Sequence, residues 1–256
     1  MKEQKNYRPL GCAECLKGGG LGFDISMAFQ PIVDVARGEV FAHEALVRGV
    51  KGESAGWVFD HVNEGNRYLF DQTCRVKAIE LAARLGMESL LSINFMPNAV
   101  YRPELCIRTT LEAAERFGFP LDRIVFELTE GEQVADYPHL REIVQHYRQR
   151  GFLTAIDDFG AGYAGLSMLA DFRTDLIKLD MGLIRNIDSD PGRRAIVRGI
   201  IQVADELGIR VIAEGVETLE EFGILRDKGI VLFQGYLFAK PAFEALPPVL
   251  FPPRSS

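Results

Sequence analysis

Eight times along this chain a run of strand-forming residues keeps one face apolar while the other carries a hydrogen-bonding or charged group. The runs are "MAFQPIVD", "VFAHEALVR", "LLSINF", "RIVFELTE", "LTAIDDFG", "DLIKLD", "RVIAEGV" and "VLFQGY". Amphipathic stretches such as "LEAAERFG", "YPHLREIVQHYRQRG", "RRAIVRGIIQVADELG" and "LEEFGILRDKG" separate the later ones. Gly118, Gly151, Gly208 and Gly229 stand where those helices should stop. Strands alternating with helices imply a parallel sheet, and eight units in 256 residues predict an α/β fold of the TIM (β/α)8 barrel type. Only "VARGE" joins the first two strands, which is hairpin length and too short for a parallel crossover. The expectation is therefore a modified TIM barrel with one antiparallel strand.

Residues 24–247 read as a single domain without an internal linker, preceded by a leader (1–23) and followed by an extended tail (248–256). No apolar run reaches the length of a membrane span and the start lacks a signal-peptide core, so a cytoplasmic protein without membrane insertion is expected. A net charge of −7 argues against binding a DNA or RNA duplex, though not against an anionic small ligand whose charge a cation offsets. Cys12 and Cys15 form "CAEC" in the leader. A redox pair or half a zinc site is one reading; incidental thiols is the better one, since a closed zinc site needs four ligands. Cys74 and Cys106 fall in helical stretches and read as small core residues.

The polar strand faces are rich in acids. Glu44, Asn94, Glu127, Asp157, Asp158 and Glu214 lie near the C-terminal ends of their strands, where β/α barrels build active sites, and Lys178 is the counter-charge among them. By alternation Asp157 and Asp158 take opposite faces, so one must reach around the rim. Any one of these residues, Glu214 with Lys178 for instance, reads equally well as a structural ion pair; six in register do not. Converging carboxylates repel unless a divalent cation neutralises them, and oxygen donors without thiolate or imidazole favour Mg²⁺ or Mn²⁺. The acids outnumber the needs of one ion, so two are expected, with Asp157 between them. His43 alternates away from Glu44, and His61, His139 and His146 lie on helical stretches; none is expected to be a ligand.

In order and at suitable spacing, "QPIVD", "EALVR", "SINF", "FELTE", "DDFGAGYAGL", "IKLD", "AEGVE" and "QGYLFAKP" resemble the motifs of the EAL domain, the bacterial phosphodiesterase of cyclic di-GMP. The resemblance spans roughly residues 24–245. It implies a modified barrel, Mg²⁺ or Mn²⁺ as cofactor, and hydrolysis to linear pGpG. It implies further that Glu44, Asn94, Glu127 and Asp157 hold one ion. Asp157 and Asp158 would hold a second, with Glu214 near it directly or through water. Lys178 is implied to orient or deprotonate the attacking water, with Glu44 and Glu214 in the same catalytic group. Gln30, Leu46, Arg48, Asp180, Gln234 and Pro241 match substrate-binding positions, and Glu130 matches a glutamate that steadies the loop after "DDFG". A homodimer is implied, as is a sensory domain or partner outside this chain.

Three departures stand out: Gly49 where the family usually has tryptophan, Ala164 and Gly165 where it has serines, and a short segment between Glu44 and Asn94. None removes an implied ligand. The alternative is a catalytically weak relative acting as a cyclic di-GMP sensor, but such proteins lose ligands that this chain keeps.

Overall fold

The computed structural model describes residues 21–96, 106–129, 137–162, 165–171 and 173–252. Its chain opens with the expected hairpin, β1 (Ile25–Asp34) against β2 (Glu39–Gly49). Asp34 Oδ1 accepts from the backbone N–H of Ala36 and of Arg37, both at 3.0 Å, and Gly38 closes the turn at φ 74°. After a one-turn helix α1 (Ala55–Phe59) and the long α2 (Arg67–Arg84), strands and helices alternate. They are β3 (Leu90–Phe95), α3 (Arg108–Phe117), β4 (Ile124–Thr129), α4 (Tyr137–Gln149), β5 (Leu153–Phe159), α5 (Gly165–Asp171) and β6 (Leu176–Leu179). Then come α6 (Met181–Ile184), α7 (Pro191–Leu207), β7 (Arg210–Ala213), α8 (Leu219–Asp227), β8 (Leu232–Phe233) and β9 (Ala242–Phe243).

Strands β2 to β8 run parallel in sequence order, and β1 closes the ring by pairing antiparallel with both β2 and β8. This is the modified barrel that the sequence predicts. One strand was not foreseen: β9 adds to the flank of β1 at Ala28 and Phe29. It is held by Glu244, which accepts from Ser26 Oγ at 2.5 Å and pairs with Arg84 at 2.9 Å. The short segment between Glu44 and Asn94 holds α1 and, from Arg67, the start of α2. That helix buries Asp71, Gln72, Thr73 and Arg75 along with its apolar residues, so it shows no clean apolar stripe in the sequence.

The helix ends follow local chemistry. Asp190 accepts from the N–H groups of Gly192 and Arg193 ahead of Pro191, and α7 stops at Gly208 with φ 70°. Thr218 and Glu221 form a capping box on α8. No helix among the described residues is long and apolar enough to cross a membrane.

Two apolar layers hold the barrel. The larger lies between strands and helices. The smaller is a plug inside the ring, made of Ile32, Ala42, Val125, Ala155, Leu176, Ile212 and Leu232. Each full-size aliphatic side chain buried there contributes about 1.5–3 kcal/mol. The plug matters for what stands on it. Because side chains repeat every second residue, each parallel strand that puts an apolar residue in the plug places residue i+2 just above it. On antiparallel β1 the equivalent residue is i−2.

Candidate active site

That rule assembles the site. Above Ala42, Val125, Ala155, Leu176, Ile212 and Leu232 stand Glu44, Glu127, Asp157, Lys178, Glu214 and Gln234. Above Ile32 stands Gln30, directly paired in register with Glu44. Strand β3 contributes Ser92, level with Glu44, and Asn94, level with Glu127.

At the centre is Lys178, 1% exposed, whose Nζ meets four carboxylates: Glu214 at 2.5 Å, Asp157 at 2.9 Å, Glu127 at 3.0 Å and Glu44 at 3.1 Å. Glu44 also accepts from Asn94 Nδ2 at 2.9 Å and Gln234 Nε2 at 2.8 Å. The glutamate in the middle of an apolar strand is thus held by an ammonium and two amides. Gln234 Nε2 lies within 3.3 Å of Gln30 Oε1, and Gln30 Nε2 donates to the Ala239 carbonyl at 3.3 Å.

Asp158 reaches the same site by a route that alternation alone does not give. The β5–β6 register shifts between Ile156 and Phe159, and Asp158 sits at φ 53°, a left-handed conformation that aspartate tolerates better than most residues. The bulge brings both aspartates to one mouth. Two compact carboxylate groups result, Glu44–Glu127–Asp157 and Asp157–Asp158–Glu214, the ligand atoms within each lying within 4.8 Å of one another. Asp157 belongs to both.

One ammonium does not neutralise five acids. Burial pushes Glu127 up to about 8, against Lys178 and with help from Glu44 and Asp157. Burial likewise raises Glu214 well above the carboxylate range, and burial with the neighbouring Asp157 and Asp180 raises Asp158 to about 6. Burial also opposes charge on Glu44, yet Lys178 and the amides of Gln234 and Asn94 outweigh it and hold this carboxyl below its usual value. Lys178 is desolvated too, but its carboxylates outweigh that and hold the ammonium charged. Asp157 Oδ1, although 2.9 Å from Nζ, lies outside hydrogen-bond geometry and is a buried oxygen without a donor. Surplus negative charge, an orphaned oxygen and an all-oxygen donor set fit hard divalent cations.

Two cavities flank the acids. The more polar one, of about 280 Å³, is lined by Gln30, Asp180, Met181, Glu217, Gln234 and Tyr236. A more apolar one of about 340 Å³ is lined by Leu46, Arg48, Phe59, Phe70, Asp71 and Met96, and Glu44 and Asp157 border both. Of the implied substrate-binding residues, Gln30, Leu46, Arg48, Asp180 and Gln234 therefore line one cavity or the other. Asp180 also caps α6 by accepting from the Gly182 N–H at 2.7 Å. Pro241 lines neither cavity. Glu130, the "CAEC" pair and Ala164 lie outside the described residues.

The histidines stand apart, and neither carboxylate group contains one among the described residues. His43 is buried on the outer face of β2 with Nδ1 2.8 Å from Ser89 Oγ, and burial lowers it to about 4. Cys106 is buried, while Cys74 is partly buried at the apolar cavity. The sequence reading passed over Ser92, whose Oγ donates to Glu127 Oε1 at 2.5 Å; its shared face with Asn94 was the available signal. Glu217 and Tyr236 were also missed, because they lie on loops beyond the reach of strand alternation.

Comparison with known proteins agrees with this geometry. The model of the EAL domain family matches residues 22–241. A standalone versatile EAL protein from Vibrio cholerae O395, solved in its c-di-GMP bound form, is 58% identical with a TM-score of 0.87, covering 89% of this chain and 96% of that one. BlrP1 of Klebsiella pneumoniae, as a manganese/cy-diGMP complex, is 37% identical with a TM-score of 0.82, covering 86% of this chain and 56% of that one. The blue light- and temperature-regulated antirepressor BluF of Escherichia coli K12 is 32% identical over 226 residues, 88% of this chain. This chain spans 56% of BluF and smaller shares of the other leading curated relatives. Matched by the family model along most of its length and by solved members in fold, this chain belongs to the EAL domain family.

Proposed function

We propose that this chain is a divalent-cation-dependent phosphodiesterase that hydrolyses cyclic di-GMP to linear pGpG and so lowers a bacterial second messenger. The observation that carries the reading is Asp157, shared between two carboxylate groups that enclose the Lys178 ammonium. Similarity to proteins solved with cyclic di-GMP, one of them also with manganese, supports the substrate and the cofactor.

Glu44, Asn94, Glu127 and Asp157 would hold one Mg²⁺ or Mn²⁺, and Asp157 and Asp158 a second, with Glu214 beside it directly or through water. When bound, such cations neutralise phosphate oxygens and acidify water. The chain's own groups do the rest. Lys178, kept as an ammonium, donates to and orients the attacking water and lends positive charge to the phosphorane-like transition state. Glu214, 2.5 Å from Nζ, holds the ammonium against the site. Arg48 offsets phosphate charge from the apolar cavity, while Gln30, Gln234 and Asp180 orient the substrate from the polar side. Water adds to phosphorus in line with the 3′-oxygen. The P–O3′ bond breaks, the 3′-oxygen takes a proton, and the 5′-phosphate of pGpG remains.

Residues 24–247 form the domain that performs this, and a homodimer and a separate sensory domain or partner complete the working assembly. A cyclic di-GMP sensor without turnover is the second reading, because BluF, a relative, is described as an antirepressor. Incubation with cyclic di-GMP and Mg²⁺ or Mn²⁺, products resolved by chromatography, separates the two. Conversion to pGpG that stops with chelation or Glu44→Ala supports the enzyme. Tight binding with no turnover under either metal refutes it and leaves the sensor.

A further inference from the structure

Behind the site lies a second buried charge pair that the chemistry above does not use. Arg75, 0% exposed, and Asp71, 2% exposed, occupy successive turns of α2 with Nη2 2.7 Å from Asp71 Oδ2. Their surroundings are specific. The guanidinium carbon lies 5.1 Å from the ring centre of Phe126, 5.4 Å from that of Phe95 and 6.0 Å from that of Tyr147, and Nη1 donates to the Tyr147 hydroxyl at 3.1 Å. Arg75 Nε has no acceptor, so ring faces rather than oxygens meet much of the cation. Asp71 Oδ1 accepts the Met96 N–H at 2.9 Å, and Gln72 Nε2 donates to Oδ2 at 3.1 Å.

The residues so held are neighbours of the proposed cation ligands. Phe95 follows Asn94, Phe126 precedes Glu127, and Asn94 and Glu127 are paired in register across β3 and β4. We propose that Asp71 and Arg75 are positioning residues that fix the C-terminal ends of β3 and β4, and through them Asn94 and Glu127, for cation binding. The inference rests on the cation site proposed above. A buried ion pair is weak support for stability, since well-packed apolar residues of similar volume often do as well. What such residues lack is direction. A carboxylate that accepts one chosen backbone N–H, and a planar fork held in an aromatic box, define where residues 94–96 lie.

The test compares the unsubstituted protein with the charge-free pair Asp71→Asn/Arg75→Met, with Arg75→Lys and with Tyr147→Phe. Free Mn²⁺ is read by electron paramagnetic resonance, folding by thermal unfolding, and hydrolysis against Mn²⁺ concentration. The charge-free pair should unfold cooperatively, bind Mn²⁺ about 10–100-fold more weakly, and regain most of its kcat at saturating Mn²⁺. Arg75→Lys should recover part of the affinity, and Tyr147→Phe, the mildest change, should still weaken Mn²⁺ binding measurably. A purely structural role would lower the unfolding temperature and leave Mn²⁺ affinity in the folded protein unchanged; that result overturns the inference. Failure of the charge-free pair to fold leaves Tyr147→Phe to decide by the same criterion. Absence of Mn²⁺ binding by the unsubstituted protein overturns the cation site itself, and the inference with it.

Discussion

Raising the pH from about 5 to about 8 in a chelator should weaken this fold, and the size of the effect follows from Glu127. Its carboxyl is pushed to about 8 in the fold against 4.5 as the ordinary value. Between those values the folded protein keeps a proton that the unfolded chain has released, so stability falls as pH rises through the window. A carboxyl displaced that far carries about 5 kcal/mol at most, and Glu214 acts in the same direction. Glu44, held low, contributes stability that is present above its unfolded value and lost only below about pH 4.5. The ammonium of Lys178 is charged throughout this range in both states. His43, lowered to about 4 against an ordinary 6.5, works the other way up to about pH 6.5, while Asp158, raised to about 6, adds to the loss and offsets much of that gain, so a net loss of about 2–5 kcal/mol is expected.

Bound cations should reverse much of it. Saturation at a hundredfold excess over Kd stabilises by about 2.7 kcal/mol, and the gain should be larger at the higher pH, where protons compete less for the carboxylates. Urea unfolding at the two pH values, with chelator and with Mn²⁺, measures all four stabilities. Two results would refute the reasoning: chelated protein that grows more stable across the window, or a Mn²⁺ gain no larger at high pH.

Other substitutions probe single parts of the same site. Lys178→Met leaves four carboxylates, three of them buried, facing a vacated point and should cost about 3–5 kcal/mol in chelator, less with Mn²⁺, as read by urea unfolding. Glu44→Gln keeps the shape and an acceptor for Asn94 but loses a charge; it should fold, yet lose hydrolysis by more than the about hundredfold typical of outer-shell changes. In Gly235→Ala the new Cβ would collide with the Val216 backbone, whose N–H is bonded to the Gln234 carbonyl. That change should destabilise by about 3 kcal/mol and displace Gln234, detectable as a lower unfolding temperature together with weaker cyclic di-GMP binding.

Much of the site was legible because a strand has a fixed period. Once Ala42, Val125, Leu176 and Ile212 are read as facing inward, Glu44, Glu127, Lys178 and Glu214 must follow them two residues on, whatever the rest of the chain does. The hairpin was equally local, set by the five residues of "VARGE". Helix ends at Gly118 and Gly208 were written in residues that accept φ 69° and φ 70°.

Distances across the ring were not local, and there the period is silent. Only closure of the barrel brings Lys178 of β6 within 3.1 Å of Glu44 on β2, and so decides that one ammonium meets four acids. The bulge that turns Asp158 depends on how β5 pairs with β6, and β9 exists because β1 has a free stretch of edge to receive it. The helical stretch around Cys74 was legible as α2, but the burial of its arginine and aspartate was not: they look like surface residues until Phe95, Phe126 and Tyr147 are folded around them. By itself the sequence determined which side chains share a face, because alternation is a property of neighbouring residues. The tertiary structure alone decided which of those faces meet, because contact between groups such as Gln234 and Glu44, 190 residues apart, is a property of the closed ring.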